Sequence, residues 1–114
     1  MKNRFTREQL ALVRSIATRR HETEEMAMLV VLILETRLKI RDLLGWFNKD
    51  VSKRLEYLSN APNVLPAEYV KVPVLFTKTH QAYLARWKRA CKNWIGVEGA
   101  TFEMLKRKPA SGLE

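Results

Sequence analysis

Apolar residues recur at helical spacing along most of the chain, and the breaks between them mark the expected elements. Leu10, Val13, Ile16 and Ala17 share one face behind Thr6-Arg7-Glu8-Gln9, a capping box in which the Thr hydroxyl and Gln amide satisfy orphan backbone amides. A first helix is expected to run to about Arg20. Thr23 is positioned to cap a second, with Glu24 and Glu25 favoured at its positive dipole end. Met26 and Met28 to Leu34 then place apolar side chains on every side, which predicts a helix buried nearly all round.

From Glu35 the pattern turns amphipathic, with Leu38, Ile40, Leu43 and Leu44 set among charged residues until Gly45 interrupts it. Asn48 is the expected cap of a next helix, buried through Val51, Leu55 and Leu58 and ending near Ser59. Asn60-Ala61-Pro62-Asn63 is a turn cluster, and Pro66 and Pro73 exclude a long helix between them. Tyr69, Val70, Val72, Val74 and Phe76 favour extended structure, confined to an edge by Pro73, so a short hairpin is expected. Thr77 then caps a long last helix with Tyr83, Leu84, Trp87, Cys91, Trp94 and Ile95 on one stripe, closed by Gly96. A short segment around Phe102, Met104 and Leu105 follows. Residues 1–105 read as one domain and 106–114 as a basic, flexible tail.

Composition narrows the class. The 114 residues are too apolar and too poor in Gly and Pro for a disordered chain, and their number suits a single core. A net charge of +9 attracts polyanions such as nucleic acid or acidic lipid headgroups, with plain solubility as the bland alternative. The single Cys91 forms no internal disulfide, and MKNRFTREQL carries no secretory apolar stretch, so a reducing, cytoplasmic setting is expected. The apolar run Met26 to Leu34 is too short to span a membrane, and no membrane partner is expected.

Two stretches resemble a known family. Ile40 to Leu58, IRDLLGWFNKDVSKRLEYL, resembles the helix-turn-helix of winged helix regulators, with Leu44-Gly45, Val51-Ser52-Lys53 and Leu55 at the family's positions. Downstream, VLFTKTHQAYLARWKRA is similar to the segment after the wing in MarR- and PadR-like regulators, a strand ending in Leu75-Phe76-Thr77 before a helix. Together the two cover Leu29 to Ala90. The fold they imply is mainly α, a winged helix-turn-helix with a short β-hairpin wing and flanking N- and C-terminal helices. A plain helical bundle, in which Gly45 only kinks one long helix from Thr23 to Leu58, is the alternative.

The resemblance implies a sequence-specific DNA-binding protein, a transcriptional regulator whose helix at about 48–58 reads the major groove of double-stranded DNA. Lys49, Ser52, Lys53 and Tyr57 are the expected groove contacts, and Arg54 with Lys39 or Arg41 the phosphate clamps. Leu84, Trp87, Cys91 and Trp94 form a stripe that would serve as the seam of a homodimer or cover the domain's own core. The rivals are a helical protein-interaction adaptor and an RNA binder using a basic surface. No enzyme is expected, because Asp42 and Asp50 lack an acid–base arrangement and Gly45 has no phosphate-cradling neighbours. His21, His80 and Cys91 match no zinc spacing, so neither metal nor cofactor is expected.

Overall fold

A computed structural model describes residues 4–21, 23–60 and 67–107. Among the described residues six α-helices follow one another: α1 (Arg7–Arg20), α2 (Glu25–Thr36), α3 (Ile40–Asp42), α4 (Val51–Ser59), α5 (Ala67–Val70) and α6 (His80–Ile95). A π-type turn at Leu43–Phe47 links α3 towards α4, and a 3-10 turn at Phe102–Leu105 closes the described chain. The turn cluster at Ala61 to Asn63, Pro66 and the tail beyond Arg107 lie outside the described residues.

α2 is the centre of the core. Every residue from Met26 to Leu34 is buried, as expected of a helix apolar on all sides, because α1, α6 and the 3-10 turn pack around it. α1 begins with the expected capping box: the Gln9 N–H donates to Thr6 Oγ1 at 3.1 Å, and the Thr6 N–H to Gln9 Oε1 at 2.9 Å. Phe5 and Trp87 meet edge to face, Trp87 stacks on Phe102 at 5.8 Å, and the three rings close the core between α1, α6 and the 3-10 turn.

The winged helix is not formed. Among the described residues there is no β-strand, and the stretch expected to make a hairpin wing is the helical turn α5 followed by irregular chain from Lys71 to Thr79. The physical reason is that side chains supply the hydrogen bonds a partner strand would give. The Leu75 and Phe76 N–H groups both donate to Asn48 Oδ1 at 2.7 Å, and Asn48 Nδ2 donates to the Phe76 carbonyl at 3.0 Å. The Arg54 guanidinium donates to the carbonyls of Val70 at 2.7 Å and Val72 at 2.9 Å. Pro73, which has no N–H, sits between these two anchorages.

Nor does one long helix run from Thr23 to Leu58. Arg37 enters the left-handed region at φ 62° and its N–H closes α2 on the Ile33 carbonyl, Gly45 departs from helical geometry, and Asp50 starts α4. The caps also move. Asp50, not Asn48, caps α4 by accepting from the Lys53 N–H, since the Asn48 amide is engaged with residues 75 and 76. Thr79, not Thr77, caps α6, because Thr77 is bound to Glu25; Glu24 occupies the cap position of α2 without a side-chain hydrogen bond, and Thr23 turns back to the Arg20 carbonyl. Gly96 ends α6 as expected, at φ 70°.

Candidate nucleic-acid interface

The residues expected to contact DNA divide into two groups. Lys49, Ser52 and Lys53 are exposed around the start of α4, and Lys39 and Arg41 are exposed beside α3. Tyr57 is half-buried: its hydroxyl donates to the Thr36 carbonyl at 3.2 Å and its ring meets Trp46 and Phe47 edge to face. Arg54 is not a phosphate clamp. It is 0% exposed, and besides Val70 and Val72 it donates to the Phe47 carbonyl at 2.6 Å and to that of Asn48. The face of α4 is accordingly turned from the expected one, burying Arg54 and Leu58 and leaving Leu55 42% exposed. Asp42, Asp50 and Glu56 stand among the lysines of this region and dilute its charge.

The largest surplus of positive charge lies elsewhere. Residues 77–97 carry Lys78, Arg86, Lys88, Arg89 and Lys92 and no carboxylate, and residues 4–20 carry Arg4, Arg7, Arg14, Arg19 and Arg20 against Glu8 alone. The rest of the chain holds eleven cations and eleven carboxylates, so these two segments account for the whole net charge of +9. α1 and α6 pack on each other, and all ten of these cations are exposed. The ion pairs here are few: Arg14 meets Glu35 at 2.5 Å and Arg20 meets Glu24 at 3.6 Å, both at the surface, where such a pair contributes at most about 1 kcal/mol. Charge counted segment by segment would have pointed to this surface, whereas the helix-turn-helix resemblance drew attention to α4.

Where the end of α1, the start of α2 and α6 meet, they enclose a cleft of about 410 Å³. Its α6 wall carries Arg86, Arg89, Asn93 and Trp94; Arg20 crosses its other side with its guanidinium 5.7 Å from the Trp94 ring. Glu25 at the mouth is already engaged. It accepts from the Thr77 N–H and hydroxyl at 3.0 Å and from the Tyr83 hydroxyl. Burial alone would raise the Glu25 pKa, but the donors Tyr83 and Thr77, helped by nearby Lys78, outweigh it and hold the carboxyl below its usual value. Tyr83 is pushed up to about 12 by burial and by its hydrogen bond to Glu25.

The stripe expected as a dimer seam is split. Trp87 and Cys91 are 0% exposed within a single chain, and only Leu84 and Trp94 reach the surface in part. Burial pushes the Cys91 thiol up to about 12, far from a reactive thiolate. Among the described residues no three His, Cys, Asp or Glu side chains gather to hold a metal ion, and no helix is long and apolar enough to cross a membrane. No family model, curated protein or solved structure matches the chain.

Proposed function

We propose that the protein binds nucleic acid, and that the packed pair α1 and α6 is its principal contact surface. The observation that carries this reading is the segregation of the entire charge surplus onto residues 4–20 and 77–97, the two neighbouring helices α1 and α6 with the residues just before them, while the remainder of the chain is electrically balanced. Solubility alone needs a net charge but not its concentration on one pair of elements; a polyphosphate needs both. The lone, buried Cys91 is in keeping with a reducing, cytoplasmic setting.

A second reading keeps duplex DNA as the target and α4 as the helix that reads it, favoured by the exposure of Lys49, Ser52 and Lys53 around one helix start. Fluorescence anisotropy against a labelled duplex and a labelled single strand, over a salt series, separates the two. In the principal reading, changing Lys88 and Lys92 to Gln together with Arg86 and Arg89 weakens binding at least about 100-fold and flattens the salt slope, while K49Q/K53Q changes affinity by less than about threefold. The reverse ranking transfers the contact to α4. Absence of binding to both probes at low salt refutes nucleic acid as the partner.

A further inference from the structure

We infer that the cleft between α1, α2 and α6 seats one nucleotide of a single strand, with Arg86 and Arg89 on its phosphate and the Arg20–Trp94 pair as the flat surface for its base. This rests on the nucleic-acid reading above and names the form of nucleic acid that the site would select.

The geometry of α6 supplies the phosphate side. Arg86, Arg89 and Asn93 are spaced by three and four residues, so they rise in one stripe along the cleft wall. Arginine forks match phosphate oxygens with paired donors, and neither guanidinium has a carboxylate partner among the described residues. The two carboxylates of the cleft do not compete for them. Glu25 is occupied by Thr77 and Tyr83, and Glu24 lies 3.6 Å from Arg20 without a hydrogen bond between them.

Trp94 supplies the base side. It is half-buried, edge-on to Trp87, and meets Arg20 at 5.7 Å, which gives the two surfaces on which nucleobases stack, an indole and a guanidinium plane. Asn93, one residue before it, adds an amide that can donate and accept at a base edge. Size decides between strand forms. At about 410 Å³ the cleft is in the range of small-ligand pockets, about 300–1,000 Å³, and admits a splayed nucleotide, whereas a duplex keeps its bases stacked inside a convex backbone.

The test uses the full chain with fluorescein-labelled oligothymidylate and a labelled duplex in a salt series, comparing R86Q/R89Q with K88Q/K92Q. The second pair removes the same charge from the same helix outside the cleft, and far-UV circular dichroism verifies that all variants are folded. Oligothymidylate is expected to bind about tenfold tighter than duplex and to quench tryptophan emission, with W94F reducing the quenching. R86Q/R89Q should weaken oligothymidylate binding about tenfold or more, reduce the salt slope by about 0.7, one single-strand phosphate contact, and abolish the preference over duplex, while K88Q/K92Q weakens both probes alike and keeps that preference. A single-strand preference that survives R86Q/R89Q or is lost equally in K88Q/K92Q, or a preference of the parent protein for duplex, overturns the cleft while leaving nucleic-acid binding by α1 and α6 intact. Failure to bind either probe at low salt overturns both.

Discussion

Changing Arg54 to Met tests the central feature of the fold. The substitution keeps an unbranched chain of similar length in place but removes a guanidinium that is fully buried and donates to backbone carbonyls on both sides of the α4 junction. The carbonyls of Phe47, Asn48 and Val70, all within buried hydrogen bonds, lose their donor at about 1–3 kcal/mol each. Relief from desolvating the charge offsets part of that, as does water reaching the part-buried carbonyls of Tyr69 and Val72. The expected net loss is about 3–5 kcal/mol, a large share of the roughly 5–15 kcal/mol that stabilises a domain. With an m-value near 2 kcal/mol/M, the urea midpoint should fall by about 2 M. Arg54→Lys should recover only part, because one ammonium cannot span the same carbonyls. The assay is equilibrium unfolding in urea followed by tryptophan emission. An R54M protein within about 1 kcal/mol of the parent would show that the guanidinium does not hold the segment, and the account of the missing wing would fall with it.

Three further expectations follow from the same structure. Asn48→Ala removes three hydrogen bonds to residues 75 and 76 and should cost about 2–3 kcal/mol, with amide hydrogen exchange at Leu75 and Phe76 accelerating before global unfolding; unchanged exchange there would refute the tether. Glu25 is held below the ordinary glutamate value of 4.5, so its contribution is full above that pH and fades as pH falls through the folded pKa, while that of Tyr83, raised to about 12, is full below the ordinary tyrosine value of 10.0 and fades on the alkaline side. Melting temperatures across pH should therefore show a shallower acid limb for E25Q and a shallower alkaline limb for Y83F, and parallel curves would contradict the assignment. Cys91 should react with a maleimide only on unfolding, so rapid labelling of the native protein would show that the core opens at α6.

Much of the helical frame was legible because it rests on local rules. The Thr6–Gln9 box, the all-round apolar run of α2 and the Gly96 terminus each need only a few neighbouring residues, and each is where the pattern puts it. Capping by Thr23, Thr77 and Asn48 was not legible, because each of these side chains is claimed by another partner: the Arg20 carbonyl, Glu25 and the chain at 75 and 76. The wing failed for the same reason. Val70, Val72, Val74 and Phe76 have strand-like composition, but whether they pair with a strand or with Arg54 and Asn48 depends on contacts 16 to 28 residues away. Arg54 itself misled most, since a binary pattern assigns arginine to the surface and Leu55 to the core, and the structure inverts the two. Of the proposed surface, the charge was legible and its location was available in the segment counts; the cleft required the packing of α1, α2 and α6.

The tethering of residues 70–76 by two side chains changes how substitution should act along this stretch. A hairpin spreads its dependence over a ladder of backbone pairs, so no single residue is indispensable and a proline anywhere in the ladder is harmful. Here the backbone of the segment is served by Asn48 and Arg54, and the side chains it presents at Lys71, Pro73 and Val74 are exposed. Sequence can therefore drift freely at the positions that look structural, while intolerance concentrates at two polar residues on the far side of the chain.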